Sequence, residues 1–156
     1  MGRDQELVIE DLGFDIDEWK SDAPVIVGSI TACPRVIVQI QGNQFESLVD
    51  TGSNTTCISE AALDRLDQEK IKTLPVTDLF VTGAFGKRSI RVKKQIFMTV
   101  HVGEFSVETI LLVLPQLCRD VIIGSDWLLL HGAVIDFENK EMHISNYIIS
   151  NKSYFS

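Results

Sequence analysis

In the run Ser47-Leu48-Val49-Asp50-Thr51-Gly52-Ser53-Asn54-Thr55-Thr56, an apolar strand end leads straight into an acid, a hydroxyl residue and a glycine. An aspartate placed there is held by backbone on both sides, so its carboxylate has little freedom to swing. Gly52 lets the chain turn tightly and lets backbone N–H groups approach the carboxylate. The hydroxyls of Thr51 and Ser53 can donate to it or to the loop. A carboxylate fixed in this way can take up or give away a proton. The same residue types also make ordinary turns, so the triplet alone does not decide for catalysis. Three other features bear on the choice. They are the chain length, a hairpin tip carrying Gly83 and Gly86, and a second apolar run, Val121-Ile122-Ile123-Gly124.

The elements that must position Asp50 are short and β-like. Val25-Ile26-Val27 reads as a first strand and Arg35–Ile40 as a second. Gln41-Gly42-Asn43-Gln44 forms a hairpin turn, and Phe45–Val49 returns into Asp50. Ser59 suits an N-cap, followed by a short helix to Leu66 with Ala62, Leu63 and Leu66 on one face. Val76–Thr82, Gly83-Ala84-Phe85-Gly86 and Lys87–Val92 make a hairpin with a glycine-bearing tip. Ile96–Val102 and Phe105–Leu114 are further strands, the second closed by Pro115. After Val121-Ile122-Ile123-Gly124, Asp126 reads as the cap of a short helix from Trp127 that ends at Gly132. Ala133–Phe137 and Met142–Ile144 form a closing hairpin. The order strand, turn, strand, loop, short helix occurs twice, as in an internal repeat. In that comparison Ile123-Gly124 stands where the first half has Asp50, so the second half supplies no acid.

The 156 residues suit one domain with its own core, and a hydrophobic content of 45% is that of a globular protein. No apolar run approaches the ~20 residues that span a bilayer. The start is acidic, unlike a secretory signal, and Glu6 stands where a myristoylation site wants Ser or Thr. Cys33, Cys57 and Cys118 are scattered and odd in number, which fits a reducing compartment better than a disulfide framework. His101, His131 and His143 have no metal-ligand spacing and read as surface or strand histidines, so no metal is expected on them. The net charge of −8 disfavours nucleic acid as a partner. Residues 1–23 carry −6 of it, with eight acids against Arg3 and Lys20, so the acidity belongs to a leader. That leader reads as a flexible acidic arm, or as a docking peptide around Phe14–Trp19. The basic run Lys87, Arg88, Arg91, Lys93, Lys94 lacks interleaved aromatics and reads as a solvated face.

Taken together, Leu48-Val49-Asp50-Thr51-Gly52-Ser53, the Gly83–Gly86 hairpin and Val121-Ile122-Ile123-Gly124 resemble the retropepsins, the homodimeric aspartic proteases of retroviruses and retrotransposons. The Ile-Ile-Gly-Ser-Asp-Trp-Leu run is similar to those of gypsy-like retroelements. The resemblance implies a mostly β, closed-barrel fold with one or two short helices, as a single-lobe subunit of a homodimer. It places the protease domain at residues 24–145, between the leader 1–23 and a tail 146–156. It implies Asp50 as the catalytic acid, with Thr51, Gly52 and Ser53 as its loop and Ile122, Ile123 and Gly124 as a second glycine loop. Val81, Thr82, Gly83, Ala84, Phe85 and Gly86 would form a flap over the substrate, with Phe85 covering an apolar side chain. Two departures stand out. Asn54 and Ser125 occupy places where retroviral enzymes often carry an Asp–Arg ion pair, and both charges are absent together. Ser53 stands where many have alanine, and its hydroxyl is expected to donate to Asp50 and favour the ionised form.

One Asp-Thr-Gly per chain must serve a chemistry that uses two carboxylates, so the resemblance implies a second copy across a two-fold axis. Two close carboxylates share one proton. One activates a water while the other protonates the peptide carbonyl. The implied substrate is an extended peptide, in the family a Gag–Pol-type polyprotein, in the cytoplasm or in virus-like particles. The other readings are a domesticated, non-catalytic dimerisation or peptide-binding module and the retropepsin-like domain of ubiquitin-shuttle proteins.

Overall fold

The computed structural model describes residues 6–9, 34–76, 78–83, 86–117 and 119–150. The expected strand Val25–Val27, most of the leader, the tip residues Ala84 and Phe85, Cys33 and Cys118 lie outside them. The described elements are β1 (Glu6–Ile9), β2 (Arg35–Ile40), β3 (Asn43–Val49), β4 (Cys57–Ser59), α1 (Glu60–Leu63), β5 (Lys72–Leu74), β6 (Phe80–Gly83), β7 (Gly86–Arg91), β8 (Lys94–Val102), β9 (Phe105–Leu114), β10 (Val121–Ile123), α2 (Ser125–Leu130), β11 (Val134–Asp136), β12 (Glu141–Ile144) and β13 (Tyr147–Ser150).

The barrel follows from alternation and tight turns. In β2, Val36, Val38 and Ile40 point inward while Gln39 faces out, the period-two pattern of a strand with one buried face. Gln41 and Gly42 both have positive φ, 54° and 79°, which matches the twist of a two-residue hairpin and brings Asn43 into β3. The main sheet runs β2-β3-β10-β4-β9-β8-β5, and β2 also pairs with β8. That last pairing closes six strands into a barrel and leaves β5 outside on β8. The barrel interior holds Val38, Ile40, Phe45, Ile58, Ile96 and Leu111, all fully buried.

The internal repeat is visible in the pairings, but its correspondence differs from the expected one. β10 runs parallel to β3, with Ser47 beside Val121 and Val49 beside Ile123. β9 runs parallel to β4, with Leu112 beside Cys57 and Leu114 beside Ser59. The two pairs are related if β3 corresponds to β9 and β4 to β10, and each of β4 and β10 is followed by a helix. Asp50, which follows β3, therefore corresponds to Pro115 after β9, and not to Ile123. The second half still carries no acid at that place.

Two termini differ from expectation. The leader supplies β1, parallel to β6 from Glu6 beside Phe80 to Ile9 beside Gly83. Leu7-Val8-Ile9 is a strand-forming run, and an open hairpin edge offers unpaired N–H and C=O groups. At the other end, Tyr147–Ser150 pairs with β12 through a tight turn, and Ile149 is 1% exposed in the main core. The folded unit therefore extends past residue 145.

Candidate active site

Asp50 leaves the end of β3 and is 2% exposed. Its backbone N–H donates to the Ile123 carbonyl at 2.9 Å, continuing the parallel pairing, and the Ser53 N–H donates to its carbonyl at 3.1 Å. The Gly52 N–H donates to Asp50 Oδ1 at 2.9 Å. A buried carboxylate is tolerable when such donors face it. The turn that Gly52 permits is thus what fixes the acid.

The parallel register also brings Gly124 against this loop. A Cβ on Gly124 would lie 2.4 Å from the Thr55 carbonyl oxygen and 2.7 Å from that of Ser53. The glycine is required by close approach of two backbones, since its φ of −97° suits any residue. Ser125 N–H donates to the Ser53 carbonyl at 2.7 Å, so the two loops are zipped together through backbone where an ion pair was missing from the sequence. Asn54 and Thr51 are exposed.

Two expectations are corrected here. The Ser53 hydroxyl donates to the Thr55 carbonyl at 2.8 Å. Its single proton is spent there, so it does not donate to Asp50. Asp126 is not the cap of α2, because Gly124 holds that position and the helix starts at Ser125. Asp126 lies in the first turn and reaches across the fold. Its Oδ1 accepts from Thr56 Oγ1 at 2.7 Å and its Oδ2 from the Thr56 N–H at 3.2 Å. Thr56 Oγ1 in turn accepts from the Gly124 N–H at 3.0 Å. Sequence reasoning missed this linkage because its partners are 70 residues apart; the signal available was a hydroxyl and an acid flanking the two glycine loops.

The hairpin β6–β7 stands where the flap was expected, antiparallel with a register irregularity between Val81 and Gly83. Val81 is fully buried. Its side chain packs with Leu48, Leu79, Val92 and Ile122 in a second apolar cluster, so it roots the hairpin in the strands that carry Asp50 and Gly124 and does not face a substrate. Thr82, Gly83 and Gly86 are described as backbone in the two strands, and the roles expected of Ala84 and Phe85 lie outside the described residues.

Other reactive groups lie nearby or elsewhere. Cys57 is buried and free, and its thiol pKa is raised well above 9.0, first by burial and then by the charges of Asp126 and Asp50. Asp136, Glu141 and His143 bring donor atoms within 4.8 Å of one another on the β11–β12 hairpin, a grouping that linear spacing does not reveal. Two of its members already engage each other, with His143 Nε2 3.1 Å from Glu141 Oε1. Among the described residues no helix is long and apolar enough to cross a membrane.

Residues 36–129 match the model of the family described as "gag-polyprotein putative aspartyl protease". No curated protein matches the sequence. Among solved structures, the chain is similar to the retroviral protease-like domain of Ddi1 from Leishmania major, with a TM-score of 0.60 at 18% identity, covering 80% of this chain and 91% of that one. It is also similar to the EIAV protease complexed with the inhibitor HBY-793, with a TM-score of 0.51 at 25% identity, covering 67% of this chain and 92% of that one.

Proposed function

Because the chain belongs to the gag-polyprotein aspartyl protease family, we propose that it is an aspartic endopeptidase that works as a homodimer. The observation that carries this reading is the setting of Asp50: the one buried carboxylate among the described residues, fixed by the Gly52 N–H beside the Gly124 loop, within the matched residues. A single carboxylate cannot both accept a proton from water and donate one to a carbonyl oxygen in the same step. Asp50 of a second copy supplies the other group across a two-fold axis. The pair shares one proton, because two adjacent carboxylates do not both ionise at low cost. The ionised member takes a proton from water, the water attacks the peptide carbonyl, and the protonated member donates to the carbonyl oxygen. Two carboxylates and a water suffice, so no metal or organic cofactor enters a step.

Thr51, exposed on a single chain, is the residue we assign to contact between the two loops across the axis. A second chain would also cover apolar surface. Leu129 and Leu130 are 80% and 76% exposed, and Phe137 and Ile148 are 62% and 60% exposed. The substrate in this reading is an extended apolar peptide segment lying between the Asp50 loops and the β6–β7 flap, held by backbone hydrogen bonds with side chains in alternate pockets. A retroelement Gag–Pol polyprotein, in the cytoplasm or in particles assembled from it, is the substrate we infer. The protease domain then runs from residue 24 through β13, with 1–23 as a leader that touches the flap through β1. The test is cleavage of an apolar peptide panel and of a polyprotein by the wild type and by Asp50→Asn. Activity confined to the wild type supports the reading. Two inert but dimeric proteins would instead mark a non-catalytic module.

A further inference from the structure

We infer that Asp126, acting through Thr56, is a positioning residue for Asp50. The inference rests on the endopeptidase reading for its catalytic readout and on geometry alone for the rest. Thr56 closes the loop that begins at Asp50 and is 3% exposed. Its hydroxyl has one proton and two lone pairs, and the structure uses the group in both directions. It accepts from the Gly124 N–H at 3.0 Å and donates to Asp126 Oδ1 at 2.7 Å, while the Thr56 N–H donates to Asp126 Oδ2 at 3.2 Å. Asp126 therefore holds Thr56 by two bonds, and Thr56 holds the Gly124 backbone by a third.

The result is a clamp on the far end of a seven-residue loop whose near end carries the acid. Between the ends, Ser53 Oγ to the Thr55 carbonyl at 2.8 Å and the Gly52 N–H to Asp50 Oδ1 at 2.9 Å transmit the fixed position back to the carboxylate. Asp126 itself is exposed, lies in the first turn of α2 and acts on the Asp50 loop through Thr56. Its Oδ1 also orients α2, accepting from the Trp127 N–H at 2.7 Å. Loss of the clamp frees Thr56 and Gly124 to separate, and displacement of a reacting group by about 1 Å costs on the order of 100-fold in rate.

The experiment compares Thr56→Val, Thr56→Ser, Asp126→Asn and the double variant Thr56→Val/Asp126→Asn. Valine keeps the shape of threonine and loses both hydroxyl hydrogen bonds, leaving only the N–H bond to Asp126 Oδ2; serine keeps all three. The expected result is a kcat reduced at least 10-fold in Thr56→Val and Asp126→Asn, with KM within twofold and restoration by Thr56→Ser. The double variant should be no worse than Thr56→Val, because the two residues act as one unit. A role in stability alone would lower the folded fraction equally in all variants of equal melting temperature and leave kcat per folded dimer unchanged, and that outcome overturns the inference. Amide exchange supplies a readout independent of activity. Gly124 should be protected in the wild type and in Thr56→Ser and should exchange at least 10-fold faster in Thr56→Val, with the Gly52 amide resonance shifting as the Asp50 carboxylate moves. An inert wild type with this exchange pattern sinks the endopeptidase reading and keeps the clamp. An unprotected Gly124, or an unmoved Gly52 resonance in Thr56→Val, sinks the clamp whatever the activity.

Discussion

Replacing Gly124 with alanine adds one methyl group where two backbones already touch. The new Cβ would sit 2.4 Å from the Thr55 carbonyl oxygen and 2.7 Å from that of Ser53. An ordinary contact needs about 3.4 Å or more, so the Thr55 carbonyl must retreat by about 1 Å. That movement strains three hydrogen bonds: Ser125 N–H to the Ser53 carbonyl, Ser53 Oγ to the Thr55 carbonyl, and Gly124 N–H to Thr56 Oγ1. Overpacking and the loosened bonds together should cost roughly 2–4 kcal/mol of stability. The shift moves the loop that carries Asp50, so kcat should fall by on the order of 100-fold in the protein that remains folded. Gly132→Ala is the comparison. Gly132 has a φ of +60° with nothing within 4 Å of its missing Cβ, and it ends α2 with the Ala133 N–H on the Leu128 carbonyl and the Gly132 N–H on the Leu129 carbonyl. Alanine there should cost about 1–2 kcal/mol through backbone conformation alone and leave kcat unchanged. Urea denaturation and peptide cleavage on both variants check the pair. A Gly124→Ala protein with wild-type kcat, or a Gly132→Ala protein equally impaired, would refute the argument from close approach.

Three further outcomes follow from individual groups. Ser53→Ala removes a donor that serves Thr55 and not Asp50, so the pH–rate profile should keep the position of its acid limb; a shifted limb would place the hydroxyl on the carboxylate after all. His131 has its pKa lowered by burial among Phe105 and Trp127, although the C-terminus of α2 would favour its charge. Below the unfolded value of about 6.5 the unfolded chain takes a proton that the folded chain resists, so this group's contribution to stability is complete above that pH and is lost as pH falls towards the folded value. The urea midpoint should drop less between neutral pH and mildly acidic pH in His131→Phe than in the wild type, and equal drops would remove burial as the cause. Burial also keeps the Cys57 thiol protonated, so mass spectrometry should find Cys57 unalkylated by iodoacetamide in the folded protein and alkylated in urea; modification without unfolding would contradict its burial.

What was legible in the sequence depended on local rules. β2 and β9 announced themselves through alternation and through a turn or a proline at their ends, and Ser59 was readable as a cap, with its Oγ accepting from the Ala62 N–H at 3.1 Å. α1 gives way after Leu63 to i→i+3 bonds, Arg65 N–H on the Ala62 carbonyl and Leu66 N–H on the Leu63 carbonyl, and Gln68 folds back onto the Leu63 and Leu66 carbonyls, local detail that no periodicity encodes. The Asp-Thr-Gly loop was readable because its chemistry is concentrated in three neighbouring residues. The partner of Asp126 and the role of Val81 were not, since each is set by the parallel β3–β10 crossing that brings distant loops together, while Ser53 had two local acceptors and only the loop conformation chose the Thr55 carbonyl. The repeat was visible in element order, yet only the strand pairings showed that Pro115 corresponds to Asp50. The strand at Glu6–Ile9 was hidden by the surrounding acids, which dominate composition while Leu7-Val8-Ile9 decides the pairing.

The claim that one acid per chain acts with its own copy is tested most directly by mixing subunits. Wild type is held at a fixed concentration, denatured and refolded with increasing Asp50→Asn protein, and assayed for peptide cleavage. If both carboxylates are needed, random pairing at equal amounts leaves roughly one quarter of the dimers fully wild type, and the activity falls to about half of that given by the same wild-type protein alone. Activity that stays constant as inactive subunits are added would mean that each chain cleaves by itself, and the shared site would be contradicted.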